Sequence, residues 1–284
     1  MKIIKKTVCG YPAWRVQDGK GIHKGGVRFD ENVTLEEVIS LAKTMTKKCE
    51  FYGLPFVGGK GAVKVDPYKL SPKELEGISR EYIRQFREYV GPDKDVLACD
   101  MGTTPEMMDW MADEHGSPLV CTSKNKDGLE GRAEATGYGG YVVMRKYPSI
   151  KTIAIQGKGN VGSHFKEFAE REYEIVAQTD KESGQFFNKE LLELNVDCLV
   201  LAACENQITK DNVKDIQAGI VLELANGGVS DEVKKGYHKF RLVEDYVCNA
   251  GGVVASYLEW EQNKEGKKYS KYDTFKFIRD KMGY

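Results

Sequence analysis

Three lysines and one aspartate stand in settings unlike those of ordinary surface charge. Lys60 sits inside Gly58-Gly59-Lys60-Gly61, with apolar Phe56-Val57 before it and Ala62-Val63 after it. Glycines on both sides let other groups, or a substrate, come close to the ammonium. A lysine in a confined, partly dry site gives up its proton more readily and can serve as base or proton donor near neutral pH. The segment alone is equally compatible with a glycine-rich turn that leaves the lysine head in water. Lys48 follows Leu41 and Met45 at the margin of an apolar helical stripe, where a snorkelling lysine is the simpler reading. Lys24 precedes Gly25-Gly26 and so resembles Lys60 in its neighbours. Three such lysines would suit a substrate bearing carboxylates. Asp100, in Leu97-Ala98-Cys99-Asp100-Met101-Gly102, could cap a nearby helix or, set close to a lysine, shuttle protons.

A second constellation lies further along. Gly157-Lys158-Gly159-Asn160-Val161-Gly162 matches G-x-G-x-x-G. With 30 glycines in the chain such a match means little by itself. Here an apolar run, Thr152–Ile155, precedes it and a helix-compatible run, Ser163–Arg171, follows. The first glycine permits a tight strand-to-helix turn, the second lets a pyrophosphate approach the backbone, and the third lets helix and strand pack closely. The helix N-terminus then presents free amides to the phosphates. Asp180 stands 18 residues past Gly162, where an acidic residue would bind a ribose hydroxyl. A tight turn with no ligand explains less of this arrangement. Asp180 favours NAD, whereas its neighbour Lys181 could receive the extra phosphate of NADP.

These residues need elements to position them. Thr34 and Glu37 form a capping-box signature ahead of an apolar stripe, Leu35, Val38, Leu41, Ala42 and Met45. Ser71-Pro72-Lys73-Glu74 opens a second helix that carries Leu75, Ile78, Tyr82, Phe86 and Val90 inward and ends before Gly91-Pro92. Thr104-Pro105-Glu106 opens a third. Residues 7–29 alternate short β-like runs with glycine turns, and a strand is expected at Ala62–Val65. Between Cys121 and Arg132 the chain turns polar, as a hinge would. Beyond it, Lys151–Gln156, Glu174–Asp180, Asp197–Ala202 and Gly219–Leu224 alternate with helical stretches, which implies a parallel sheet with crossovers. The expected fold is therefore α/β in two domains. An N-terminal substrate and catalytic domain spans residues 1–125, with 255–284 packing back on it. A Rossmann dinucleotide-binding domain spans 126–254, and a cleft separates the two.

Composition narrows the partners. Lysine plus arginine number 42 against 43 acidic residues, so no basic field exists to attract nucleic acid or anionic lipid. The seven cysteines are odd in number and form no C-x-x-C, and the four histidines show no metal-ligand spacing. A reducing cytoplasm, no metal, and no membrane segment are the expectations.

Several segments together resemble the glutamate/leucine/phenylalanine/valine dehydrogenase family. They are Lys24–Phe29, Met45–Lys48, Gly58–Gly61, Ala98–Thr103, Arg132–Gly137, Gln156–Gly162, Glu205–Thr209 and Asn249–Val253, in the family's order. The resemblance implies an NAD(P)-dependent oxidoreductase that interconverts an L-amino acid with its 2-oxo acid and ammonium. Lys60 matches the catalytic lysine that polarises the carbonyl and activates water, and Asp100 the acid/base that moves protons at nitrogen. Lys48 matches the lysine that holds the α-carboxylate, in place of a snorkelling role, and Asn249 a substrate-contacting asparagine. Thr136 and Asn226 fall at cofactor-binding positions, beside Gly157, Gly159, Asn160, Val161, Gly162 and Asp180. Members that act on glutamate pair its side-chain carboxylate with the lysine of K-G-G and a nearby serine, here Lys24 and Ser256, and Ala98 also fits. Those for branched or aromatic substrates carry an apolar residue at the Lys24 position. Glutamate and 2-oxoglutarate are therefore the expected pair. A dehydrogenase for leucine, valine or phenylalanine, or a non-catalytic sensor of cofactor or glutamate, are the alternatives. The family implies a homo-oligomer, commonly a hexamer, and the short termini of this chain suggest a smaller assembly. Leu224 and Gly228 flank Asn226 where the glutamate enzymes read G-A-N-G-P, which puts the cofactor pocket there in question.

Overall fold

The computed structural model describes residues 1–118, 121–180, 184–236 and 238–283. The chain forms two compact units. The first comprises Met1–Arg132 and Ser256–Lys271, the second Ala133–Ala255 and Tyr272–Tyr284.

The first unit is built on a sheet of order β1-β2-β4-β3-β5 among the described residues. Its strands are β1 (Lys2–Val8), β2 (Tyr11–Gln17), β3 (His23–Phe29), β4 (Val57–Val63) and β5 (Asp95–Cys99). β3 runs parallel to both β4 and β5, while β1 and β2 are antiparallel additions. β4 departs from the expected strand at Ala62–Val65, because it begins at Val57 and takes the whole glycine-rich run into the sheet. The reason is crowding on both faces. A Cβ at Gly58 would lie 1.8 Å from the Ala42 carbonyl oxygen, and one at Gly61 would lie 2.2 Å from the Tyr82 hydroxyl.

Helix α1 (Leu35–Phe51) starts at Thr34, whose hydroxyl accepts from the Glu37 amide, and buries Val38 and Ala42 against Val16 and Ala62. Helix α2 (Pro72–Phe86) opens with a full Ser71/Glu74 capping box and buries Ile78, Tyr82, Ile83 and Phe86. Each such side chain withdrawn from water is worth about 1.5–3 kcal/mol. Helix α3 (Pro105–His115) ends at Gly116 in the left-handed region. On the sheet face opposite Lys60, Arg15 is fully buried. It pairs with buried Asp95 and donates to the Gly25 carbonyl at 3.1 Å. A buried pair of this kind is tolerable because the remaining donors are also satisfied.

The second unit carries a parallel sheet of order β10-β9-β8-β6-β7. Its strands are β6 (Thr152–Gln156), β7 (Glu174–Thr179), β8 (Cys198–Leu201), β9 (Ile220–Glu223) and β10 (Arg241–Val243). Helices α4 (Ala135–Met144), α5 (Asn160–Ala169), α6 (Gly184–Leu192), α7 (Asp231–Lys235) and α8 (Asp245–Cys248) fill the connections. The central strands β6, β8 and β9 are short, apolar and almost wholly buried, as central parallel strands must be, while β7 and β10 at the edges are more exposed. Helix α9 (Gly251–Glu265) starts in the second unit and continues, from Ser256, into the first. Helix α10 (Lys271–Met282) returns to the second, where Phe275 stacks on Tyr138. Among the described residues no helix is long and apolar enough to cross a membrane, and no cluster of three or more His, Cys, Asp or Glu could hold a metal.

Candidate active site

In the first unit, strand alternation places Lys24, Gly26 and Arg28 on one face of β3. The register aligns Gly58 with Lys24, Ala62 with Arg28, and Ala98 with Gly26. Lys60 on β4 therefore shares this face, and so do Ala98 and the Asp100 that follows β5. Lys60 meets Asp100 across β3, with its Nζ 3.0 Å from Oδ2. Gly26 makes the crossing possible. A Cβ there would lie 2.8 Å from the Asp100 Cβ and 2.7 Å from the Cys99 carbonyl oxygen.

Asp100 Oδ2 also accepts from Arg28 Nε at 2.9 Å, and Arg28 is in turn ion-paired to Glu37 of α1. Burial alone would raise the Asp100 carboxyl, but Lys60 and Arg28 together hold it below the usual carboxylate range. Burial lowers the Lys60 ammonium, and Asp100 opposes this only in part. The result is a lysine that gives up its proton readily beside a carboxylate that stays ionised.

Lys24 is 2 % exposed, and among the described residues no hydrogen-bond acceptor or carboxylate meets its ammonium. Burial, aided by Arg132, lowers it to about 8. Ser256, where α9 enters this unit, is fully buried, and its Oγ has no partner among the described residues. Lys48 is buried near the end of α1, and the Cys49 thiol beside it feels the charge of both Lys24 and Lys48. Ala98 is buried. Glu259 of α9 accepts from the Cys121 and Thr122 amides at 2.7 and 3.3 Å, which fixes the segment after β5 and α3. Sequence reasoning missed Arg28 and Glu259 as individual residues. For Arg28 a signal was present, since it shares strand parity with Lys24.

In the second unit, β6 ends at Gln156 and Gly157 turns the chain with a φ of +114°. A Cβ at Gly157 would lie 2.5 Å from the Ala202 carbonyl oxygen, and one at Gly162 would lie 2.2 Å from that of Gly157. Gly159 faces open space, with nothing within 4 Å of a Cβ built on it. It is the N-cap of α5 and leaves the helix without a side-chain cap, so the first amides, at Asn160, Val161 and Gly162, have neither a capping side chain nor an intrahelical acceptor. Asn160 secures the turn by donating to the Ala133 carbonyl at 2.7 Å. Thr136 lies half-buried in the first turn of α4, whose Gly137 lets that helix close on α5. Asp180 follows β7 directly, and Lys181 lies outside the described residues. An uncapped helix start, an open glycine and an acid one strand away fit a dinucleotide.

Asn226 sits in the loop after β9. Gly227 is held there by Asp245, while buried Glu223 accepts from the Val229 amide at 2.6 Å and pairs with Lys234 at 2.8 Å. Leu224, the residue that breaks the expected G-A-N-G-P, packs on Gly140 of α4, where a Cβ would lie 2.4 Å from its Cδ2. A large residue on one element is matched by none on the other. Asn249 closes α8 and donates to the Leu224 carbonyl at 2.6 Å. The two sets of residues thus fall in different units: the lysines, Ala98, Asp100 and Ser256 in the first, the glycine turn, Thr136, Asp180, Asn226 and Asn249 in the second.

Two family models match the chain. The Glu/Leu/Phe/Val dehydrogenase dimerisation domain matches residues 4–117, and the Glutamate/Leucine/Phenylalanine/Valine dehydrogenase domain matches residues 178–283. The NADP-specific glutamate dehydrogenase of Synechocystis is 37 % identical over an alignment covering 96 % of this chain and 77 % of that one. The NAD-specific glutamate dehydrogenase of Staphylococcus aureus is 35 % identical, covering 98 % and 78 %. Among solved structures, the hetero-hexameric glutamate dehydrogenase of Thermus thermophilus superposes with a TM-score of 0.86 at 29 % identity, over 99 % of this chain and 80 % of that one. That of Peptoniphilus asaccharolyticus gives 0.81 at 31 %, over 99 % and 82 %.

Proposed function

Because the chain belongs to the glutamate/leucine/phenylalanine/valine dehydrogenase family, we propose that this NAD(P)-dependent amino-acid dehydrogenase interconverts L-glutamate with 2-oxoglutarate and ammonium. The observation that carries the substrate is Lys24. A buried ammonium without an acidic partner among the described residues is costly against an apolar side chain and is satisfied by a side-chain carboxylate. The orphan hydroxyl of Ser256 supplies a second donor, Lys48 holds the α-carboxylate, and Ala98 leaves room for the chain between. Asn249 is assigned to the substrate, as in the family.

Lys60 and Asp100 divide the proton work. In deamination Asp100, kept ionised by its two cations, takes a proton from the substrate nitrogen. Lys60, ready to lose its proton through burial, draws one from the water that attacks the imino carbon. In the reverse direction the Lys60 ammonium polarises the carbonyl and Asp100 returns a proton to nitrogen. NAD or NADP, when bound, supplies or accepts the hydride at Cα. Gly157, Gly159, Asn160, Val161 and Gly162 would hold its pyrophosphate and Asp180 its ribose, with Thr136 and Asn226 nearby. Asp180 favours NAD.

A homo-oligomer in the cytoplasm is the assembly and location we assign. The dimerisation-domain match supports the first, and the odd, unpatterned cysteines support the second. The test is oxidation of NADH and NADPH by the purified protein with ammonium and a panel of oxo acids. We expect turnover with 2-oxoglutarate and loss of about 100-fold or more in Lys60→Ala, without loss of fold. Preference for a branched or aromatic oxo acid would overturn the substrate, and cofactor binding without turnover on any oxo acid would overturn the activity.

A further inference from the structure

We propose that Arg28, seated by Glu37, is a positioning residue that pins Oδ2 of Asp100 and so dedicates Oδ1 to proton exchange with the substrate nitrogen. The proposal rests on the reading of Asp100 as the acid/base. Both cations that touch Asp100 do so at the same oxygen: Arg28 Nε at 2.9 Å and Lys60 Nζ at 3.0 Å from Oδ2. Among the described residues no hydrogen bond reaches Oδ1, and the side chain keeps 17 % of its surface accessible. The backbone is fixed independently. The Asp100 amide donates to Thr103 Oγ1 at 2.8 Å, and that hydroxyl donates to the Val27 carbonyl at 2.9 Å. The carboxylate is thus anchored at its root and at one oxygen, with the other left to react.

Two cations on one oxygen look redundant until their chemistry is compared. Lys60 changes protonation during the reaction, so it cannot be a constant partner for Asp100. A guanidinium does not lose its proton in a protein and presents its donors in a rigid plane. Arg28 therefore keeps Asp100 ionised and oriented through the interval in which Lys60 is neutral. Glu37 serves this arrangement from outside. It is the third residue of α1, where a capping-box glutamate would turn back to the helix start, but its carboxylate instead accepts from Arg28 Nη1. The charged groups around the carboxylate are Lys60 from β4, Arg28 from β3, Glu37 from α1, and Asp30 just after β3, which acts on Arg28.

The experiment measures kcat/KM for glutamate against pH in the full-length protein and in Arg28→Gln, Arg28→Lys, Glu37→Gln and Asp100→Asn. Removing the fixed cation is expected to move the acid limb of Arg28→Gln upward by about one pH unit and to lower kcat about 10-fold or more, with KM for the cofactor unchanged. Arg28→Lys retains the charge, so its limb should stay near that of the unaltered protein while kcat recovers only in part. Glu37→Gln removes the anion behind Arg28 and should move the limb the other way. Should Arg28→Gln fail to fold, the opposite displacement in Glu37→Gln and the retained limb in Arg28→Lys carry the test. An unmoved acid limb in Arg28→Gln or, in its absence, in Glu37→Gln, with Asp100→Asn inactive, overturns the role of Arg28 alone. Full activity in Asp100→Asn overturns the reading of Asp100 itself.

Discussion

Lys24 is a deeply buried charge without a counter-ion among the described residues, and that has a thermodynamic signature. Its ammonium is lowered to about 8 from the ordinary 10.5, so burying it in charged form costs about 3 kcal/mol at neutral pH. Below pH 8 both folded and unfolded chains hold the proton, and the cost is complete. Between 8 and 10.5 the unfolded chain binds a proton that the folded one has released, so stability rises with pH across that window. Lys24→Met should therefore be more stable than the unaltered protein by about 3 kcal/mol at pH 7, with the gain vanishing above pH 10.5, as read by urea denaturation at several pH values. The same variant should show a raised KM for 2-oxoglutarate, and a gain in stability with no change in that KM would detach Lys24 from the substrate. At this scale the sequence was informative where a residue type was out of place, as at Lys60 and Asp100. At Arg28 the parity it shares with Lys24 was a clue too weak to act on, because an arginine in a strand looks like any exposed cation until its register with Lys60 and Asp100 is known.

At the scale of elements, glycine marks where two pieces of backbone meet. Sequence patterning identified the starts of α1, α2 and α3 because each cap is a local interaction. It began the fourth strand at Ala62, not Val57, because the packing that forbids side chains over Gly58–Gly61 comes from Ala42, Arg15 and Tyr82, far away in the chain. The dinucleotide turn allows the two uses of glycine to be separated. Gly162→Ala drives a Cβ against the Gly157 carbonyl and should lower both the melting temperature and cofactor affinity. Gly159→Ala meets nothing in the protein, so the melting temperature should hold while calorimetry shows weakened NAD(P) binding. If Gly159→Ala binds as tightly as the unaltered protein, the pyrophosphate does not approach at that position. The Leu224–Gly140 contact is a similar case. The leucine is visible in the sequence as a departure, but the space that receives it is visible only once α4 and β9 are placed together.

For the molecule as a whole, the first unit is discontinuous in sequence. Glu259 reaches back to Cys121, Trp260 Nε1 donates to the Pro92 carbonyl at 2.7 Å, and its ring packs edge-on against Phe56 at 5.2 Å. A chain stopped after Ala255 leaves the Cys121 and Thr122 amides and the Phe56 ring uncovered. It should lack a cooperative calorimetric transition for the first unit and show Cys121 reactive to a thiol reagent; a sharp transition with Cys121 protected would contradict this. The sequence leads one to expect the C-terminal residues 255–284 to pack back on the first domain as one stretch, but they divide, with Ser256–Lys271 in the first unit and Tyr272–Tyr284 in the second. The discontinuity also sets a schedule. On the ribosome, the strands that carry Lys24, Lys60 and Asp100 emerge early, yet their unit stays unfinished until residues 256–271 have left the exit tunnel. The nascent chain must hold a partly formed sheet open through the synthesis of residues 133–255, which makes the pace of translation part of how this catalyst is assembled.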